Sequence, residues 1–223
     1  MSENVYHNID QDQVCPVSGE TRQEEQWNYF THLIGLLLSV VGSGILLWSS
    51  LSSDFWNLIS CCVYSFALIV LYSASTFYHR CEFVFRKKTW KIVDHSSIYL
   101  FIAGCYTPFT LGPLRSHNGW FLFFVVWGIA LCGILFKLVA INRFKVFSLL
   151  SYLLMGWLIV FSLPTLMELL SPTAFAYMIF GGLAYTLGTL FYAWEALPFS
   201  HAIWHLFVLV GSFFHYCAIL TLI

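Results

Sequence analysis

Two histidines near the C-terminus, His201 and His205, lie four residues apart in an otherwise apolar stretch, SHAIWHLFVLVGSFFH (200–215). In an α-helix, residues with this spacing share one face and lie about 6 Å apart along the axis. Two imidazoles in this arrangement can bind one metal ion. His215 would lie about 15 Å further along the same helix, which is too far to join such a site. The stretch therefore predicts a pair of histidine ligands.

A third imidazole occurs with a hydroxyl beside it, because Ser75 and His79 are also four residues apart. Three histidine ligands with water in a fourth position form the open type of zinc site that is found in enzymes. Asp94 could hold or deprotonate that water, or orient a ligand. The alternative is that histidines near a membrane interface only anchor or pack the helices, which is the simpler interpretation for a histidine that stands alone.

The composition indicates a membrane protein. Of the 223 residues, 59% are hydrophobic and only 9% are charged, whereas soluble domains carry about 25% charged residues. No basic arm or patch suggests that nucleic acid is a partner. Most of the seven cysteines fall in apolar runs, which favours packing roles over disulfides or a zinc ribbon.

Seven windows of at least 20 residues contain no Asp, Glu, Lys or Arg. A helix needs about 20 residues to cross a bilayer, and lipid offers no hydrogen-bond partner to a free backbone. We therefore expect an all-α, seven-transmembrane helix bundle over residues 25–223, after a disordered cytoplasmic tail at 1–24. The predicted spans are 29–49, 56–78, 93–112, 119–137, 146–164, 174–194 and 200–222.

The distribution of Lys and Arg predicts the orientation of the bundle. Arg115 stands alone on one side of the predicted membrane. The other nine cations lie on the side of the N-terminus: Arg22, Arg80, Arg86, Lys87, Lys88, Lys91, Lys137, Arg143 and Lys145. Because cytoplasmic loops carry the excess of positive charge, we expect the N-terminus in the cytoplasm and the C-terminus outside.

This topology brings the chemically competent residues to one depth in the membrane. His79 ends the second span, Asp94 begins the third, and His201 and His205 lie in the first turns of the seventh. Three polar residues at the start of the first span lie at the same level: Glu25, Asn28 and His32. The topology therefore predicts one polar cluster near the cytoplasmic side.

Four stretches match the motifs of a known family in order. They are EEQWNYFTH (24–32), SASTFYH (73–79), DHSSIYLFIAGCYTPF (94–109) and HAIWHLFVLVGS (201–212). With these motifs the chain resembles the hemolysin III family, the bacterial branch of the progestin and adipoQ receptor superfamily. The resemblance implies seven helices with the N-terminus inside, in agreement with the charge distribution.

The resemblance also implies a set of site residues. A zinc ion would be held by His79, His201 and His205, with Asp94 near the zinc-bound water and Ser75 as the matching serine. Three further residues, Glu25, Asn28 and His32, match an N-terminal E-x-x-N-x-x-x-H signature and are candidate supporting residues.

The metal motifs further resemble those of the alkaline ceramidases. This implies a zinc-dependent hydrolase that acts on a lipid amide or ester, with membrane lipids as partners and a lipid or fatty acid as substrate. One alternative is a pore-forming cytolysin, although a pore needs a polar lining and these helices are apolar outside the cluster. A non-enzymatic membrane sensor or regulator with structural zinc is the other alternative. The short polar tail and the bacterial-branch motifs indicate a multi-pass protein of a bacterial inner (plasma) membrane.

Overall fold

The computed structural model describes residues 14–141 and 144–223. These residues form an all-α structure in which no β-strand occurs and one isolated bridge joins Val14 to Thr21. The helices are α1 Arg22–Ser50, α2 Phe55–Arg80, α3 Val84–Leu111, α4 Gly119–Ala140, α5 Lys145–Trp157, α6 Leu163–Leu169, α7 Pro172–Ala193 and α8 Ser200–Leu220.

Seven helical segments correspond to the seven predicted spans, because α5 and α6 form one continuous segment through a 3₁₀ turn at Leu158–Ser162. Six of the segments are long and apolar enough to cross a membrane: α1, α2, α4, α5 with α6, α7 and α8. The seventh, α3, has 28 residues and is more polar. It packs against α2, α4, α5 and α8, and its polar residues Lys87, Asp94 and Ser97 are buried in the bundle. The prediction of a seven-helix bundle is confirmed.

The bounds of two segments differ from the prediction. α3 begins at Val84, nine residues before the predicted span at 93–112, because the charged stretch after Val84 continues the helix below the apolar part and buries Lys87. The fifth segment runs to Leu169 rather than to residue 164. Pro164 lies in the first turn of α6, where a proline costs no helical hydrogen bond.

The predicted tail at 1–24 falls partly on structured chain. Residues 1–13 lie outside the described residues, so the prediction about them stays a prediction. Residues 14–21 form a turn in which Cys15 is buried and the backbone carbonyl of Val17 accepts a hydrogen bond from Lys91 at 2.8 Å. α1 begins at Arg22 with a capping box between Thr21 and Glu24. The predicted domain boundary at residue 25 therefore lies inside α1.

α2 and α3 approach each other closely at Gly104. A Cβ atom at this position would lie only 2.6 Å from the Cβ of Ala67. Because neither helix can move there without disturbing its other contacts, the small residue is required by packing. Gly128, on the exposed side of α4, has no such neighbour within 4 Å.

We expect the Gly104→Ala substitution to lower the thermal unfolding temperature in detergent, because overpacking a buried contact costs about 1–3 kcal/mol. Gly128→Ala is the matched control and should be neutral or slightly stabilising, since alanine favours the helix at an open position. Fluorescence-detected gel filtration after heating measures both. Equal shifts for the two variants would contradict the role of Gly104.

The orientation of the bundle is testable with reporter fusions. We expect alkaline phosphatase to be active when it is fused after Ile223 and inactive when it is fused between α2 and α3, because the positive loops stay in the cytoplasm. A fluorescent protein at the N-terminus should be bright. The reverse pattern of the two phosphatase fusions would show that the charge argument is wrong.

Candidate metal-binding site

The last turn of α2 and the first turns of α8 bring three histidines together. Each of His79, His201 and His205 offers a ring nitrogen that lies within 4.8 Å of the others. The ring centroids of His201 and His205 are 4.6 Å apart, and that of His79 lies 5.2 and 5.1 Å from them. α1 and α3 hold this arrangement, because each packs against both α2 and α8.

One nitrogen of His79 is engaged by a carboxylate. Its Nδ1 lies 2.7 Å from Oε2 of Glu25. Because an ionised carboxylate only accepts hydrogen bonds, Nδ1 is the donor. Nε2 of His79 is buried and has no hydrogen-bond partner in the described part of the chain. Its lone pair is therefore available to a metal ion bound by the cluster.

His205 is oriented in a similar way by backbone and hydroxyl groups of α1. Its Nδ1 lies 3.1 Å from the carbonyl oxygen of Asn28 and 3.0 Å from Oγ1 of Thr31. The Thr31 hydroxyl itself donates to backbone carbonyls of α1. Nδ1 of His205 therefore donates, and Nε2 remains for a metal.

Asp94 and Ser75 line a cavity that also contacts His201 and His205. The cavity has a volume of about 160 Å³ and lies between α3, α5, α7 and α8. Both side chains are buried. The cavity continues away from the histidines along a mostly apolar wall that includes Ile98, Leu153 and Met178. It is thus a mostly apolar chamber that is polar beside the histidine cluster.

The three candidate supporting residues lie on one face of α1 beside the cluster. Glu25 contacts His79 as described above. The Asn28 side chain is buried, and neither of its amide atoms has a partner within residues 14–141 and 144–223. The imidazole of His32 stacks on that of His205, with centroids 3.4 Å apart and an interplanar angle of 13°. His215 lies outside the cluster and stacks on Tyr185 of α7.

Comparisons with known proteins agree with this arrangement of motifs. The family model described as "Haemolysin-III related" matches residues 20–216. The chain is 42% identical to the "Hemolysin-3 homolog" of Bacillus subtilis (strain 168), over 86% of this chain and 91% of that protein. It is also 42% identical to "Hemolysin-3" of Bacillus cereus, over 85% and 87% of the two chains. The chain belongs to the hemolysin III family.

A human relative extends the likeness beyond bacteria. The "Monocyte to macrophage differentiation factor" of Homo sapiens is 34% identical, over 92% of this chain and 88% of that protein. All of the candidate site residues of this hemolysin III family protein lie within the part that the family model covers.

Sequence reasoning missed two charged residues that position the site. Lys87 is fully buried and forms an ion pair with Glu25 at 2.9 Å, whereas from the sequence it is only one of the cations on the cytoplasmic side. Oε1 of Glu24 accepts a hydrogen bond from the backbone N–H of Phe199 at 2.9 Å and so holds the start of α8. The spacing T-x-x-E at Thr21 and Glu24 is a recognisable capping-box signal for this end of α1.

The turn beneath the cluster contains a carboxyl group with an unusual pKa. Burial, together with the nearby carboxylates of Glu24 and Glu25, raises the pKa of Glu20 to about 7 from 4.5. The folded protein therefore holds the Glu20 proton more tightly than the unfolded chain does. Stability is lost as the pH rises from about 4.5 through about 7, because the ionised form is disfavoured in the fold.

We expect Glu20→Gln, which mimics the protonated form, to raise the thermal unfolding temperature at pH 8 by a few degrees and to leave it nearly unchanged at pH 4.5. Thermal scans of wild type and variant across this pH range measure the difference. Glu168→Gln serves as the control, since Glu168 is exposed on α6 and is not among the charges that act on Glu20. A constant difference at every pH would contradict the shifted titration of Glu20.

Proposed function

We propose that this hemolysin III family membrane protein is a zinc-dependent hydrolase that cleaves an amide or ester bond of a membrane lipid. The observation that carries the proposal is a cluster of three histidines, two of which, His201 and His205, line a mostly apolar cavity together with Asp94 and Ser75. A lipid presents the same combination, a polar linkage joined to an apolar chain. We further propose the bacterial plasma membrane as its location, in line with the higher identity to the two Bacillus relatives.

The donor set suits zinc. His79, His201 and His205 would hold the ion, and imidazole nitrogen is one of the ligands that zinc prefers. Nδ1 of His79 and Nδ1 of His205 are engaged by oxygen acceptors, which is the usual arrangement around histidine ligands of metals. Three ligands instead of four leave a position for substrate or water. When bound, zinc would supply Lewis acidity for a lipid carbonyl and for the hydrolytic water.

The remaining residues have separate tasks in hydrolysis. The Asp94 carboxylate accepts a proton from the attacking water and returns it to the leaving nitrogen or oxygen. The buried Ser75 hydroxyl donates a hydrogen bond to the oxyanion that develops on the carbonyl. The apolar wall of the cavity binds the acyl chain and keeps bulk water from the reacting bond. The products are a fatty acid and the remainder of the lipid.

Metal analysis tests the ligand set. We expect about one zinc ion per chain in the purified wild type and loss of that zinc in His79→Ala and His205→Ala, because removal of one of three ligands leaves too few donors. His117→Ala, in the exposed loop before α4, is the control and should retain zinc. Full zinc content in His79→Ala and His205→Ala would show that the metal is bound elsewhere.

A hydrolysis assay tests the chemistry. In nanodiscs, the zinc-loaded protein should release fatty acid from at least one member of a panel of ceramides and glycerophospholipids. Asp94→Asn and Ser75→Ala should each lower kcat about 100-fold while zinc content stays unchanged. The first removes only proton transfer, and the second removes only the hydrogen bond to the oxyanion. Absence of cleavage across the panel by the zinc-loaded wild type would contradict the proposal.

A non-enzymatic regulator is the second candidate, because the histidine cluster joins α2 to α8 and a metal there would stabilise the bundle. In that case chelation lowers the unfolding temperature but abolishes no reaction. The name of the Bacillus cereus relative, "Hemolysin-3", makes lysis a third outcome to measure. Dye release from liposomes that is undiminished by His205→Ala would indicate a pore independent of the cluster.

A further inference from the structure

We propose that α1, which contributes no ligand to the histidine cluster, is the element that orients two of its three ligands. In this role Glu25 positions His79, and the backbone of Asn28 together with Thr31 positions His205. The inference rests on the proposed metal site and assigns a task to the N-terminal E-x-x-N-x-x-x-H signature.

The Glu25 carboxylate accepts hydrogen bonds from donors in three parts of the chain. It is buried, and its oxygens accept hydrogen bonds from Nδ1 of His79 at 2.7 Å and Nζ of Lys87 at 2.9 Å. The hydroxyl of Ser18, in the turn before α1, also donates to it. A buried carboxylate without a cation is costly, and the fully buried Lys87 supplies the balancing charge. Glu25 is therefore held in place and in turn holds the His79 ring.

Lys87 has little freedom to move away from this position. Its ammonium group also donates to the backbone carbonyl of Tyr78 at 3.0 Å and lies 4.7 Å from the centroid of the Tyr78 ring. Tyr78 directly precedes His79. The ion pair therefore ties α1 and α3 to the same turn of α2 that presents the imidazole.

The second contact of α1 uses its backbone. The carbonyl oxygen of Asn28 and Oγ1 of Thr31 both lie within 3.1 Å of Nδ1 of His205. His32 stacks on a face of the His205 ring, with the ring centroids 3.4 Å apart, and limits its rotation. The positions of Glu25, Asn28 and His32 are separated by three and four residues, so they form one stripe on α1. This stripe faces both α2 and α8, which are far apart in the sequence.

Two matched double variants test the hydrogen-bond acceptor at position 25 separately from the buried ion pair of Glu25 and Lys87. Glu25→Gln/Lys87→Met keeps an oxygen that can accept from His79, whereas Glu25→Leu/Lys87→Met removes it, and neither leaves an unpaired charge. We expect zinc affinity, measured by competition with a chelator, to fall about 10–100-fold in the Leu variant. In the Gln variant it should stay within about a factor of three of wild type. Glu195→Gln is the control and should bind zinc as wild type does.

The tautomer of His79 gives a readout that loss of packing alone would not change. In zinc-free protein, ¹⁵N chemical shifts should report the Nδ1–H form in wild type and in the Gln variant. They should report a mixture of tautomers in the Leu variant, because its Nδ1 has lost its acceptor. Unfolding temperatures in the presence of chelator show whether the two double variants are equally stable.

The outcomes separate the two proposals. If wild type binds no zinc at all, the proposed metal site fails. If wild type binds zinc and the Gln and Leu variants have the same affinity, the metal site stands and the positioning role of Glu25 is wrong. Should the Leu variant not fold, Thr31→Val takes its place: it removes Oγ1 from His205 and should weaken zinc binding about threefold or more. Unchanged affinity in Thr31→Val would then overturn the inference.

Discussion

The buried carboxylate of Glu25 is the contact on which the rest of the candidate site depends. It joins α1 to His79 on α2 and to Lys87 on α3, and through Ser18 it also holds the turn that precedes α1. Inside an apolar bundle such a charge is stable only when its cation and donors are all in place. The ion pair therefore determines the relative position of three helices at the level where the histidines meet. Because exchange of either partner leaves the other charge buried, the arrangement tolerates little variation.

The walls of the cavity differ in polarity along its length. Near the histidines the walls carry Asp94 and Ser75, and further along they are mostly apolar. The apolar wall favours an apolar occupant, which is the physical reason that a lipid, with its polar linkage and apolar chain, is proposed as the substrate.

Much of the fold follows from the sequence. Seven charge-free windows predict seven helical segments, and the structure contains them, because length and apolarity are properties of each segment alone. Lys87 shows where this reasoning ends. In the sequence it is one of five cations between the second and third spans, and nothing local separates it from Lys88. Only the packing of α3 against α2, together with the Glu25 carboxylate of α1, buries Lys87 and leaves Lys88 exposed. The early start of α3 at Val84 has the same cause.

The sequence by itself determined the segments, their helical nature and the depth to which each polar residue belongs. Spacing placed His201 beside His205 and Ser75 beside His79, since a helix has a fixed number of residues per turn. The tertiary structure decided which faces meet. It brought the ring of His79 beside those of His201 and His205, engaged Nδ1 of His205 with α1 and paired Glu25 with one of the cytoplasmic lysines. These contacts depend on the rotation of each helix about its axis, which is set by side-chain packing across the whole bundle.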